Sequence, residues 1–427
     1  MQKHTHPYTE APLDLSQWRK VPNLLIGGGA VLALAGLVIN TRQFAFAWLL
    51  SFMFFLSLAL GGLFLAMAHH LFDAGWSVPI RRVAEHLGGL MKWIWIFFIP
   101  IALLAPQLYE WMTPTLLANP PHAVHVKYPL FTKIGFYVAS AICFLVWALL
   151  ASKLRGWSLR QDKEGGSLPT FKMRFHSYWG VFAFAFTLTL GAIMWMKGLS
   201  YIWFSTMFGV IYFAGSVWLT LATVYVITVI LDRQNLIREI LHENQYYYLG
   251  TLMFAFTVFY TYVAFSQYFI IWNANMPEET FWYLMREKGT WFAVSMVLIF
   301  GHFFLPFLSL LRIDVKSTFR VMAALAAWAW VMHYTDLSFN IKPVVSPEGF
   351  PWQWVWLDLG CMAFMGGILA RIWMANFNAH APYPIKDPRL IEAMGHRHPV
   401  GTAISGGEMD ESDTSFHAPA EGHGGAR

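Results

Sequence analysis

FAFAWLLSFMFFLSLALGGLFLAMAHHLFDAGWSVPIRR, residues 44–82, decides what kind of protein this is. Residues 44–68 carry no ionisable side chain, and about 20 apolar residues already cross a bilayer core. The run then meets His69, His70, Asp73, a Gly-Trp break and the pair Arg81 and Arg82. That order reads as a membrane helix reaching an aqueous face, with two arginines as topology anchors. A catalytic or a metal site is the competing reading of the polar part.

Composition extends the reading to the whole chain. Of 427 residues, 57% are hydrophobic, 18% aromatic and only 12% charged, where a soluble domain carries about 25% charge. The fold class is therefore an all-α polytopic membrane protein. The net charge of +5 is spread over loops and forms no single basic patch, so it does not point to nucleic acid. Cys143 and Cys361 both lie in apolar runs. Two thiols are too few for an ordinary four-thiolate iron–sulfur cluster and form no disulfide framework. The polar N-terminus lacks the short apolar core of a cleaved signal.

Ten runs are long and apolar enough to span: 21–40, 44–72, 90–108, 134–152, 175–196, 199–231, 246–272, 290–311, 318–337 and 352–375. The two longest, 44–72 and 199–231, are expected to tilt or protrude. Assigned to their nearer face, 22 of the 29 Lys and Arg fall on the side that both termini share, and 7 on the other. Both termini are thus expected in the cytoplasm. The tail from 376 is rich in Pro, Gly, His and acid, and is expected to be extended or disordered.

The chain also resembles itself. KIGFYVAS from Lys133 matches KGTWFAVS from Lys288, an offset of 155. FAWLLSF around Trp48 resembles YIWFSTMFG around Trp203 at the same offset. HHLFDAGWSVPIRRVAEHLG resembles ILDRQNLIREILHENQYYYLG, setting Asp73 against Asp232, and PWQWVWLDLG around Trp354 resembles the same helix start again. The expected architecture is two four-helix bundles, 41–198 and 199–340, related by a parallel repeat. Flanking them are an N-terminal segment 1–20, a first span 21–40, a tenth span 341–375 and a tail 376–427.

Two such bundles, the HHLFDAGW stretch with its arginines and the outer Trp starts resemble the NrfD-like (PsrC-like) family, membrane subunits of respiratory oxidoreductases. The resemblance covers residues 20–375. The ten-span form with a Gly/His-rich tail looks most like the membrane subunits of bacterial alternative complex III, a quinol:cytochrome c oxidoreductase. It implies a subunit with no redox centre of its own, and a part in proton movement. The implied partners are an NrfD-like sister subunit, an iron–sulfur subunit, multihaem cytochrome c subunits, small membrane subunits and lipids. Haem c and iron–sulfur clusters would sit in those partners. Quinol would bind near the outer ends of the first bundle, where Trp48, Gln107, Glu110 and Tyr128 are candidates to line a site.

The residues themselves point a similar way. A charge at the bilayer centre costs at least about 2.5–3.5 kcal/mol, so ionisable groups there are functional candidates. His302 falls in mid-span eight, His333 and Asp336 in the outer part of span nine, and Asp358 in the outer part of span ten. His69, His70 and Asp73 fall at the inner end of span two. These seven form the candidate proton relay, histidine suiting it through an unperturbed pKa of about 6.5. Each has a structural alternative. His69 and His70 cap a helix end, His302 packs, His333 and Asp336 form an ion pair, and Asp358 caps a turn or meets a partner. The hydroxyls of spans six and seven, Ser216, Thr220, Thr223, Thr228, Thr251, Thr257, Thr261 and Ser266 with Tyr260, either line water or join helices. A haem held by His69 and His176 is the one credible haem pairing, and no three ligands cluster for zinc. A secondary transporter and a purely structural anchor are the rival functions.

Overall fold

The computed structural model describes residues 16–118 and 120–395. Residues 1–15, most of the N-terminal segment expected from sequence, and 396–427 of the tail lie outside the described residues. What is described is helical, and among the described residues nine stretches are long and apolar enough to cross a membrane. The chain is a multi-pass all-α membrane protein.

In chain order the principal helices are α1 (Lys20–Ile39), α2 (Thr41–Leu71), α3 (Val78–Gly88), α4 (Phe98–Leu103), α5 (Lys133–Glu164) and α6 (Leu168–Trp195). They continue as α7 (Phe208–Arg233), α8 (Glu243–Ala274), α9 (Gly289–Val297), α10 (Leu305–Leu310), α11 (Phe319–Ile341), α12 (Val355–Asn378) and the short α13 (Leu390–Gly395). Local chemistry sets the starts. The Asn40 side chain accepts from the Gln43 N–H ahead of α2, and Thr132 accepts from Gly135 ahead of α5, each satisfying an amide that the first turn leaves unpaired. Pro79 and Pro169 stand in the first turns of α3 and α6, where the missing N–H costs nothing.

The one expected run that is not among these nine is the ninth, 318–337, which falls on α11. It is 23 residues long but is less apolar than the other nine, because Arg320, His333, Asp336 and Asn340 ride on it. The third crossing, expected at 90–108, instead runs from Gly75 to Leu103. It is broken into α3, short helical turns and α4.

α2 is buried at every position from Phe44 to Leu63, as expected of a helix apolar all round. It packs against α1, α3, α6, α7, α11 and α12. α7 is the second central helix and packs against α2, α6, α8 and α11. The third crossing, α5 and α6 gather on the α2 side; α8, α9–α10 and α11 gather around α7. α1 and α12 clasp each other through small residues. A Cβ on Gly29 would come within 2.4 Å of the Phe364 amide nitrogen, and one on Gly360 within 2.5 Å of Leu32. Such close approach is how helices associate in lipid.

The first part of the tail differs from expectation. α12 continues to Asn378, and residues 379–395 fold back onto the helix ends, with Tyr383, Leu390 and Ala393 buried. Composition missed this because ion pairs reinforce those few apolar side chains: Asp387 binds Arg81, and Arg389 binds Asp73.

Candidate functional site

The site begins with a helix fault. Pro306 has no N–H to offer the carbonyl four residues back, and the eighth span passes from α9 to α10 through a π-helical segment, Leu298–Phe304. Such segments interrupt the regular ladder and recur at functional positions. The Trp328 indole N–H of α11 donates to the Gly301 carbonyl at 2.7 Å. A Cβ on Gly301 would lie 2.7 Å from Met332 Sδ, so a glycine lets α11 approach there.

The fault turns His302 into the bundle. Its ring is stacked between Trp218 of α7, 4.2 Å away by centroid, and Tyr260 of α8, 4.0 Å away. His302 is 1% exposed, and neither ring nitrogen has a hydrogen-bond partner among the described residues. The Tyr260 hydroxyl donates to Asp336 Oδ1 at 2.6 Å. The Asn340 amide also donates to that carboxylate, at 3.1 Å. On the same helix, His333 Nε2 lies 2.8 Å from Ser57 Oγ of α2. Ser57 spends its own hydrogen on the Phe54 carbonyl, so the imidazole Nε2–H donates to Ser57 and Nδ1 is left bare. Gly215 makes room: a Cβ there would touch the His333 ring at 3.4 Å. Three proton-holding groups and a bridging phenol thus share one buried cluster, drawn from α2, α7, α8, the π segment and α11.

Asp358 lies elsewhere. It is buried against the Lys342 ammonium and accepts from the Tyr334 hydroxyl at 2.7 Å. His333 and Asp336 do not pair with each other; each has its own neutral partner.

The expected inner set forms a separate network. His69 Nδ1 lies 2.5 Å from Ser77 Oγ and Nε2 lies 3.2 Å from Arg81 Nη1. Ser77 donates to the Ala74 carbonyl, so the ring gives its Nδ1–H to Ser77 and accepts from Arg81. His70 meets the His69 ring edge-on at 4.8 Å. Asp73 turns away at φ 50° and pairs with Arg174 and Arg389 at 2.6 and 2.7 Å, not with His69. Those two guanidiniums outweigh partial burial and hold its carboxyl below the usual range. Arg81 and Arg82 are buried, and Glu85, Asp387 and Asp162 neutralise them. Twelve helical steps of α2, about 18 Å, separate Ser57 from His69, and the eleven residues 58–68 between them are all apolar.

Of the hydroxyls of the sixth and seventh spans, Thr220, Thr223 and Thr257 join helices, while Ser216, Thr228 and Thr261 bond a carbonyl of their own helix and Thr251 has no partner among the described residues. Thr220 reaches the Leu58 carbonyl, and Trp218 and Trp330 donate to Thr257 and Thr223. His176 accepts from Trp179 and does not meet His69. Among the described residues no three His, Cys, Asp or Glu side chains stand where one metal ion could bind. A cavity of about 340 Å³ opens among Trp48, Trp93, Phe97, Pro100, Phe364 and Ile368. The Trp48 indole N–H there is spent on the Phe97 carbonyl, and apart from the indole of Trp93 the remaining lining is apolar. Gln107, Glu110 and Tyr128 are exposed and do not line it.

Sequence reasoning did not name Ser57, Trp218, Asn340 or Lys342. Only tertiary packing brings Ser57 to His333, 276 residues away; Lys342 had a signal, a lone cation 16 residues before Asp358. No known family model matches the chain, and no curated protein matches it.

Proposed function

We propose that the chain is a membrane subunit of a quinol:electron-acceptor oxidoreductase, of the ActF type of alternative complex III, and that its second bundle handles protons. It lies in a bacterial cytoplasmic membrane with ten spans, α11 being the ninth, and the arginine-rich end and both termini face the cytoplasm. Haem c and iron–sulfur clusters belong to partner subunits, and the chain alone has no turnover. The parallel repeat draws support from α5 and α9, which start at Lys133 and just after Lys288. Phe136 and Trp291 are both fully buried, and Ser140 and Ser295 each bond the carbonyl four residues back. Trp203 departs from the pattern: it precedes α7, whereas Trp48 lies within α2.

The observation that carries the proton reading is the buried His302–Tyr260–Asp336 cluster with His333 beside it. Ionisable groups are expensive at this depth, and here His302 has no ion partner to make it structural. When Asp336 takes a proton it becomes a donor, and the Tyr260 hydrogen is freed to turn to another acceptor. The cluster serves the half of the membrane away from the arginines, because residues 58–68 of α2 carry no polar step toward His69. His69, His70, Asp73 and Asp358 are then fold-holding residues.

The test uses the intact complex in sealed vesicles, comparing His302→Leu with wild type for quinol oxidation and protons released per electron. Electron transfer that persists with a lower proton yield supports the proposal. Both unchanged in an assembled complex makes His302 a packing residue and the subunit an anchor.

A further inference from the structure

At the end of the fold away from the arginines, Lys127 and Lys197 share one aromatic cage. Lys127 Nζ stands 4.2 Å from the Phe204 ring centre and 5.1 Å from that of Phe131. Lys197 Nζ stands 5.3 and 5.9 Å from the same two rings. Lys197 is 5% exposed. The seat is built, not incidental: the Trp111 indole N–H donates to the Gly198 carbonyl at 3.1 Å, and the Tyr109 hydroxyl to Trp195 at 3.0 Å. Both fix the turn that carries Lys197, and the Lys127 ammonium donates to the Tyr201 carbonyl.

Two cations brought together disfavour each other's charge. Burial first, and then Lys127, push the Lys197 ammonium down to about 7. Among the described residues no ion pair within 4.0 Å involves either lysine; the exposed Glu110 acts on Tyr201 instead. The two amines stand within hydrogen-bonding reach of each other, and an anion bound beside the pair offsets their repulsion. Each ammonium has three donors, enough to meet both free oxygens of a phosphodiester. Ile202, Phe204, Met207 and Leu130 stand exposed around the cage, the apolar surface that acyl chains cover.

We propose that Lys127 and Lys197 hold the phosphate of an anionic membrane lipid, its acyl chains lying along Ile202, Phe204, Met207 and Leu130. Paired ammoniums beneath an apolar rim match a headgroup phosphate by charge and its acyl chains by burial of apolar surface. A carboxylate from a docking protein has the right charge but leaves that apolar rim uncovered.

The test reconstitutes the full chain, in whatever assembly it purifies with, into discs of phosphatidylcholine with or without phosphatidylglycerol. Thermal unfolding and acylation of the two lysines by an amine reagent are read together. The expected result is a higher Tm and slower acylation with phosphatidylglycerol. The Tm rise is lost in Lys127→Gln/Lys197→Gln and kept in Lys133→Gln. The acylation readout needs only wild type, so a misfolded double variant leaves the proposal testable. Equal behaviour in both lipids overturns it. So does the full shift from inorganic phosphate in phosphatidylcholine, which makes free phosphate the ligand. Protection that appears only with a co-purifying protein replaces the lipid by a docking carboxylate.

Discussion

His302 and His333 show how differently two buried histidines can be held. Trp218 and Tyr260 cover both faces of His302, whereas Ser57 ties His333 by an edge. Ser57→Ala leaves the His333 Nε2–H buried and unpaired, which costs about 1–3 kcal/mol. Thermal unfolding in detergent should show that loss. Ser309→Ala, at an exposed hydroxyl that only bonds its own helix, should stay within about 0.5 kcal/mol of wild type. The histidines and Asp336 were legible in sequence because an ionisable group stands out in an apolar run. Ser57 and Trp218 were not, since Ser and Trp are ordinary in membrane helices and only neighbours give them a role.

At the scale of elements, two features override regular helix. One is the π segment that Pro306 accompanies. The other is the folded start of the tail. Burial pushes the Asp387 carboxyl up, but Arg81 and Arg389 outweigh it and hold it well below the usual carboxylate range. A carboxyl whose folded pKa is lowered gives its full stabilisation above the unfolded value of about 3.9, and loses it as pH falls through the folded value. The protection factors of the 379–395 amides, exchange measured against the intrinsic rate at each pH, should therefore hold from pH 8 to pH 5 and fall only in stronger acid. Asp387→Ala should speed that exchange at neutral pH. Removing one member of a buried pair costs about 3–5 kcal/mol, and Arg81 then keeps only Glu85 as its charged partner. The sequence showed the charges of this segment but not their partners, which lie on the loop after α2, on α3 and on α5.

For the whole molecule the decisive contact is α2 against α7. A Cβ on Gly61 would sit 2.1 Å from Thr220 Oγ1 and 2.7 Å from the Ser216 carbonyl. Gly61→Ala should therefore cost about 1–3 kcal/mol through overpacking. Gly27→Ala, where nothing lies within 4 Å, should be neutral or stabilising by about 0.5–1 kcal/mol, as for a helical glycine. Unfolding of the two variants side by side checks both signs. The sequence by itself determined that this is an all-α membrane protein, because a bilayer admits few ways to satisfy a backbone and long apolar runs select the helix. It also marked His302, His333 and Asp336 as costly and therefore notable. Only the tertiary structure decided which of the seven candidates meet. Helix periodicity gives a residue its face on its own helix but not the neighbour that face receives. His69 and Asp73, four apart in sequence, are drawn to different partners, while Tyr260 and Asp336, 76 apart, share a hydrogen bond.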